Sequence, residues 1–291
     1  MSDSAVTFSA EELARGAGGR WTDGRGTAVS GVFTDTRQDG SGRLFIALSG
    51  ENFDAHDFLP AAVSAGAAAL CVAESKLGRL PEPCPVPVLA VADPLWSYQG
   101  IARLHRRRFP ELTVAAVTGS VGKTSVKEML RAIFTAAAGA ERVLYTVGNT
   151  NNQVGVPQNL LRLQPQHRFA VIEMGTNHHG EIEPLSCCAL PQVALVNSIA
   201  PCHLEFLGSL EGIAREKSRI FSGLPADGTA VIPRSCPAVE VLAEAAAPFR
   251  LLRFGEGSGC AVEAHYCGGR LEGSSFELRF ADGERFEISW S

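Results

Sequence analysis

The sequence predicts an α/β fold: a small N-terminal α/β domain followed by a mostly parallel sheet with helices on both faces. Three observations predict it. Continuous apolar runs at residues 112–117, 169–174 and 193–196 suit strands buried on both faces, because a strand with one wet face alternates instead. Amphipathic segments of helical length, 125–138 and 211–224, are interleaved with those runs. The length of 291 residues, at about 150 per domain, points to two domains.

The elements follow in chain order. From about residue 30 to 92, short apolar runs at 44–48, 67–72 and 86–91 alternate with turns. Between the first two, residues 57–66 carry Phe58, Leu59, Ala62 and Val63 at helical spacing. The stretch Pro81-Glu82-Pro83-Cys84-Pro85-Val86-Pro87 holds too many prolines for a helix and reads as a loop. Asp93 as N-cap and Pro94 at the first helical position open a helix to about Phe109, stopped by Pro110. The domains are therefore expected at 1–92, a connecting helix at 93–111 and a central domain at 112–291. Residues 229–232 add a further strand to the central sheet. The tail from about 260 to 290 switches to alternating strands, with Gly268-Gly269 and Asp282-Gly283 as hairpin turns.

Composition narrows the function. With 45% apolar and 20% charged residues, the chain buries a core without disulfides or metal staples. Lys and Arg total 26 against 31 Asp and Glu, a net charge of −5 that argues against nonspecific nucleic-acid binding. The basic run His105-Arg106-Arg107-Arg108 is too short to reverse that balance. No window approaches about 18 consecutive apolar residues, so no transmembrane helix and no membrane partner is expected. Met1-Ser2-Asp3-Ser4 lacks the basic and apolar regions of a signal peptide. The eight cysteines contain no C-x-x-C pair and read as reduced thiols of a cytoplasmic protein, with Cys187-Cys188 expected in an interior helix.

The sharpest chemical signal is Thr118-Gly119-Ser120-Val121-Gly122-Lys123-Thr124, set between a strand and a helix that Ser125 begins. Backbone N–H groups of such a loop cradle phosphates at a helix N-terminus, Lys123 neutralises them and the Thr124 hydroxyl suits Mg²⁺, so ATP is the expected ligand. The common G-x-x-x-x-G-K-[ST] pattern needs glycine where Val117 stands, which makes this a shorter variant; the alternative is a glycine turn that merely precedes a helix. Glu173, at the end of a buried strand, is placed where an α/β sheet presents its site, and a carboxylate there suits Mg²⁺. The alternative is a solvated strand-end acid. Read alone, His203 is an isolated histidine, Lys217 a charge on a solvated helix face and Asn149, Asn151 and Asn152 ordinary loop residues. A guanidinium such as Arg37 suits a diphosphate, although a single arginine is commonly just surface.

Taken in order, the motifs form a pattern. T-G-S-V-G-K-T-S-V-K-E at 118–128 resembles the nucleotide loop of the Mur ligases, the ATP-dependent peptide ligases of peptidoglycan precursor synthesis. Y-T-V-G-N-T-N-N-Q-V-G-V-P at 145–157, I-E-M-G-T-N-H-H-G-E-I at 172–182, N-S-I-A-P-C-H-L-E at 197–205 and G-I-A-R-E-K-S-R-I-F at 212–221 extend the resemblance. T-D-T-R at 34–37 and L-F-I-A-L-S-G-E-N-F-D-A-H-D-F at 44–58 are similar to the family's UDP-sugar domain. The resemblance covers roughly residues 30 to 235, and the double-asparagine loop favours the member that adds D-alanyl-D-alanine to UDP-N-acetylmuramoyl-tripeptide.

The resemblance implies a UDP-sugar domain before a P-loop ATPase-type sheet, with ATP and Mg²⁺ as cofactors. It implies ligation of D-alanyl-D-alanine to UDP-N-acetylmuramoyl-tripeptide through an acyl phosphate. It places Gly119, Ser120, Val121, Gly122, Lys123, Thr124 and Ser125 on ATP, and Thr124, Glu173, His203 and Lys217 on metal, Lys217 as a carbamylated lysine. Lys123, Glu173, His203 and Lys217 become the catalytic set. Thr34, Asp35, Arg37, Asp54, His56, Asn149, Asn151, Asn152, Asn177 and His178 become substrate residues. The family's G-R-H-N segment has no counterpart before Ser291, so the expectation is an incomplete central domain and an absent C-terminal ligase domain. The chain alone is then expected to bind substrates better than it ligates them. The rival readings are a binding fragment without turnover, one subunit of a split enzyme with a separate C-terminal domain, and a sibling ligase adding another amino acid.

Overall fold

The computed structural model describes residues 6–50, 53–270 and 273–290. The first four residues and Glu51 and Asn52 of the 44–58 motif therefore lie outside the described residues. The chain forms two compact units, one from Met1–Glu111 with Val147–His167 and one from Leu112–Thr146 with Arg168–Ser291.

The first unit starts with helix α1, Ala10–Ala17, whose N-cap Ser9 and Glu12 form a reciprocal capping box that the sequence reading passed over. Strands β1 Arg20–Trp21, β2 Val32–Phe33 and β3 Leu44–Ile46 follow, then helix α2 Leu59–Ser64, β4 Ala69–Ala73, β5 Val88–Val91 and helix α3 Pro94–Arg106. The sheet order is β1-β5-β4-β3-β2, parallel except where β1 meets β5. Alternate side chains feed two cores, one on each face. Leu44, Ile46, Cys71, Leu89 and Val91 pack with Leu13 of α1 and Tyr98 and Ile101 of α3. Phe45, Ala47, Leu70, Val72 and Val88 pack with Leu59 and Ala62 of α2. The helix expected at 57–66 is split, with a 3₁₀ turn at Ala55–Phe58 before α2, because Pro60 can sit only in a first helical turn.

The expected division at 92 and 112 needs revision. Helix α3 is part of the first unit, since Tyr98 and Ile101 belong to its core. Asp93 caps α3 with bonds from the Leu95 and Trp96 N–H groups, as its sequence suggested. Residues 147–167, expected in the central domain, also join the first unit, and Val154 and Leu161 pack on the same core.

In the second unit, β6 Thr113–Thr118 leads into helix α4, Lys123–Ala138, and β7 Val143–Tyr145. The chain visits the first unit, where helix α5 is Gly155–Leu160, and returns as β8 Phe169–Glu173, α6 Ile182–Ala189 and β9 Val193–Val196. Helices α7 Leu204–Leu207 and α8 Leu210–Ser218, strand β10 Thr229–Pro233, helix α9 Val239–Ala246 and β11 Arg250–Gly255 complete the α/β part. Strands β12 Val262–Arg270, β13 Gly273–Phe280 and β14 Arg285–Trp290 form the tail. The order is β14-β13-β12-β11-β10-β9-β6-β8-β7, with only the pairs β12–β13 and β13–β14 antiparallel.

Helix α4 starts two residues earlier than its apolar pattern, directly on the glycine loop. The helix expected at 211–224 ends as a 3₁₀ segment, Arg219–Gly223. Gly268-Gly269 do not make the first hairpin turn: β12 runs to Arg270, which pairs with Gly273, and Gly268 adjoins a register shift inside the strand. Asp282-Gly283 do turn the second hairpin, Gly283 at φ 93° and Asp282 accepting from the Glu284 N–H. In α6, Cys188 is buried while Cys187 is half-exposed, and all eight thiols are free.

Candidate functional site

Strand β6 lies between β8 and β9, so the chain order reverses at its carboxyl end and leaves a crevice there. The phosphate-loop motif fills that position. Thr118 ends β6 fully buried, and its hydroxyl donates to the Met174 carbonyl at 2.8 Å, tying β6 to the end of β8. Gly122 is the N-cap of α4 at φ 82°, a left-handed conformation that favours glycine, and no side chain caps the helix. The first N–H groups of a 16-residue helix thus stay available to an anion.

The loop after β9 holds this turn in shape. Asn197 Nδ2 donates to the Val121 carbonyl at 2.6 Å, and the Val121 N–H donates to Ser198 Oγ at 3.1 Å. The Ser120 N–H donates to the Ser198 carbonyl at 2.9 Å, and Ser120 Oγ accepts from the Ala200 N–H at 2.9 Å. Gly119 must be glycine because a Cβ there would lie 1.5 Å from Asn197 Oδ1. Neither Asn197 nor Ser198 was singled out from sequence; their only signal was membership of the 197–205 motif.

The residues expected on nucleotide and metal are partly gathered. Lys123 Nζ folds back to the Gly119 carbonyl at 2.8 Å, while Val121, Thr124 and Ser125 are exposed in the loop and first helical turn. Thr124 Oγ1 donates to Glu173 Oε1 at 3.2 Å, and Glu173 is buried at 1% exposure. A hydroxyl and a carboxylate oxygen side by side at the mouth of a phosphate loop fit the oxygen preference of Mg²⁺. His203 stands at the N-cap of α7 in a left-handed conformation at φ 48° and is exposed. Among the described residues, no three His, Cys, Asp or Glu side chains cluster to hold a metal.

Lys217 overturns its reading as a solvated charge, being 1% exposed on α8. Burial, and then the charge of Lys123, push its pKa down to about 8, with Cys202 and Glu216 pulling the other way. Its neighbour Glu216 was missed in the sequence, although it adjoins Lys217 in the 212–221 motif. The Glu216 carboxylate accepts from the N–H groups of Gly180, Glu181 and Ile182 at 2.7, 2.9 and 2.9 Å, joining α8 to the start of α6. Glu181 in turn accepts from the N–H groups of Asn177 and His178 at 2.7 and 3.1 Å. Burial would raise the Glu181 pKa, but those bonds outweigh it and hold it low. Asn177 and His178 are exposed on this ordered loop, His178 against the Phe206 ring at 4.3 Å.

The first unit has its own cavity, about 500 Å³, lined by Thr34, Asp35, Arg37, Phe45, Phe53 and Phe58. Arg37 makes a two-pronged pair with Asp35, Nε and Nη2 at 2.9 and 2.7 Å, and lowers the Asp35 pKa to about 2. Phe53 and Phe58 stack at 5.4 Å between centroids and stay 55% and 42% exposed, an aromatic pair that the sequence reading passed over.

Asp54 and His56, expected to grip the sugar, are hydrogen-bonded within the first unit. His56 is buried; its Nε2 accepts from the Ala73 N–H at 3.1 Å, so Nδ1 carries the proton and donates to Asp54 Oδ1 at 2.6 Å. Asp54 also receives Ser49 Oγ, Lys76 Nζ and Arg79 Nη1. Burial would raise its pKa, and these donors hold it far below the usual range instead. Asn152 likewise works locally, its Oδ1 accepting from the Val154 and Gly155 N–H groups at the start of α5. Asn151 donates to Asn149 Oδ1 at 3.2 Å.

A parallel sheet with a glycine loop and an uncapped helix start at its switch point, and a Thr–Glu pair beside them, defines a nucleotide-binding α/β protein of the P-loop type. The chain belongs to the Mur ligase family: residues 117–291 match the Mur ligase middle domain. UDP-N-acetylmuramoyl-tripeptide–D-alanyl-D-alanine ligase of Escherichia coli K12 is 46% identical over 209 residues, 72% of this chain and 44% of that protein. The crystal structure of MurF from Acinetobacter baumannii superposes with a TM-score of 0.88 at 33% identity, over 98% of this chain and 61% of that one. MurF ligase from Thermotoga maritima, solved in complex with ADP, gives 0.74 at 26% identity, over 89% of this chain and 57% of that one. The chain thus spans less than half the length of the E. coli relative. Among the described residues, no helix is long and apolar enough to cross a membrane.

Proposed function

We propose that this chain supplies the nucleotide and UDP-precursor sites of a ligase that joins D-alanyl-D-alanine to UDP-N-acetylmuramoyl-tripeptide at the expense of ATP. The observation that carries the proposal is the Thr124–Glu173 pair, 3.2 Å apart, beside an uncapped helix N-terminus at the sheet's switch point. The loop N–H groups and Lys123 would bind and orient the phosphates, and Thr124 and Glu173 would hold Mg²⁺. When bound, Mg²⁺ supplies neutralisation of phosphate charge. In that reaction the tripeptide carboxylate would take the γ-phosphoryl group of ATP and release ADP, and the incoming amine would displace phosphate from the acyl phosphate and lose a proton to leave the amide. In the first unit, Arg37 is the group suited to the diphosphate, with Phe53 and Phe58 offering ring faces beside it.

Lys217 completes the proposal. A lowered pKa leaves a larger fraction as free amine, which adds CO₂ to give a carbamate and a proton. That carbamate and His203 would extend the metal site beyond the Thr124–Glu173 pair. The reading also places the protein in the cytoplasm, in keeping with its free thiols.

Calorimetric titration with UDP-N-acetylmuramoyl-tripeptide, with and without a Mg²⁺-bound ATP analogue, tests the proposal. Micromolar binding of both, with precursor binding weakened by Arg37→Ala, is the expected result. A folded chain that binds neither ligand refutes it. Supplying a C-terminal Mur ligase domain in trans then separates ligase from pure binding module: amide formation supports the first, and its absence despite binding the second.

A further inference from the structure

The hydrogen bonds behind the phosphate loop form a closed circuit through a residue that the proposed reaction leaves unused. Helix α4 carries Thr124 at its start and Lys127 three residues later. Thr124 Oγ1 donates to Glu173 Oε1 at 3.2 Å, and the Glu173 N–H donates to Thr146 Oγ1 at 2.9 Å. Lys127 Nζ donates to the Thr146 carbonyl at 3.1 Å. Less than one turn of α4 then leads from Lys127 back to Thr124.

Apart from Thr124, this circuit is buried. Lys127, Thr146 and Glu173 are 2%, 0% and 1% exposed. Lysine is seldom buried without a paired charge, and here Glu128 Oε1 stands 2.8 Å from the ammonium. Such burial costs desolvation and side-chain entropy that an apolar residue would avoid. What the lysine adds is the bond to Thr146. That bond matters because β7, the strand before Thr146, is three residues long and lies at the edge of the sheet. Pairing with β8 holds one side of its end, through the Thr146 N–H and the Val171 carbonyl at 3.0 Å. Lys127 holds the other side, to α4.

We propose that Lys127 is a positioning residue for the Thr124–Glu173 pair, acting through Thr146. By fastening the end of β7 to α4, it sets how the β8 carboxylate stands against the phosphate loop, and so how well two oxygens share one divalent cation. The proposal rests on the nucleotide-site reading above.

The test uses the whole chain with Lys127→Met, which keeps the stem, and Thr146→Val, which keeps the shape and the carbonyl. The first readout needs no nucleotide: hydrogen exchange at the Glu173 amide should quicken about tenfold in both variants. The second is ADP affinity by calorimetry, in Mg²⁺ and in EDTA. Affinity in Mg²⁺ should fall about 10- to 100-fold in both variants, while affinity in EDTA stays within about twofold of wild type. Unchanged exchange, or equal losses with and without Mg²⁺, overturns the proposal. Should Lys127→Met fail to fold, Lys127→Gln, which removes the ammonium and shortens the reach to the Thr146 carbonyl, decides by the same two criteria. A wild-type chain that binds no ADP refutes the nucleotide-site reading instead, and the exchange readout then decides on Lys127 by itself.

Discussion

Gly119→Ala offers the most direct check on how the phosphate loop is built. The added methyl would lie 1.5 Å from Asn197 Oδ1, 2.8 Å from its Cγ and 3.0 Å from the Ser198 nitrogen. Asn197 cannot swing away without breaking its 2.6 Å bond to the Val121 carbonyl. Overpacking of this kind costs about 1–3 kcal/mol, and shifting a backbone already at φ 157° adds about 1 kcal/mol. The expected loss of stability is therefore about 2–4 kcal/mol. In an Asn197→Ala background the nearest remaining obstacle is the Ser198 nitrogen at 3.0 Å, so the same glycine change should cost only about 1 kcal/mol. The two substitutions should thus couple by about 1–3 kcal/mol. Urea unfolding of all four proteins, followed through exchange of the β6 amides, reports the second unit alone. Additivity within about 0.5 kcal/mol would refute the claim that Asn197 is what forbids a side chain at Gly119.

Other expectations follow from the same geometry. Lys123→Ala, assayed with the C-terminal domain in trans, should abolish ligation while leaving UDP-precursor binding nearly intact; residual ligation above a few per cent of wild type, a loss smaller than about 30-fold, counts against its proposed role. His56→Ala should destabilise the first unit by about 2–4 kcal/mol in urea, because it strands the Ala73 N–H and opens a cavity. A loss of precursor binding without a loss of stability would restore His56 to the ligand site. For Lys217, lowered to about 8 from 10.5, the folded and unfolded chains are both protonated below about pH 8 and the burial penalty is then fully present. Between those two values the unfolded chain holds the extra proton, so stability should rise with pH across that window. In CO₂-free buffer, Lys217→Met should flatten the rise, and an equal rise in the variant would show that another group causes it.

Much of the architecture was legible because it is written in short-range patterns. Solid apolar runs marked β6, β8 and β9, Asp93-Pro94 marked the start of α3, and the glycine loop with Lys123-Thr124 marked the nucleotide end of β6. The capping box at Ser9 and Glu12 is equally local, its two partners lying three residues apart. Strand β11, by contrast, reads Arg-Leu-Leu-Arg-Phe-Gly, with too little alternation or apolar continuity to declare itself. Residues 147–167 carry no mark of the unit they join, since membership depends on what Val154 and Leu161 pack against.

The site divides along the same line. Local sequence was enough for the class of fold, the phosphate loop and the helix that begins on it, because a turn's glycines and a helix's first residues act on backbone within a few positions of themselves. It was not enough for the exposure of Lys217, the use of both His56 nitrogens, the three N–H groups on Glu216 or the Lys127–Thr146–Glu173 circuit. Each of those depends on partners distant in the chain: His56 meets Ala73 across 17 residues, Lys127 meets Thr146 across 19, Glu173 meets Thr146 across 27 and Glu216 meets Gly180 across 36. Burial and hydrogen-bond partnership are properties of which strands and helices become neighbours, and only the packed sheet decides that.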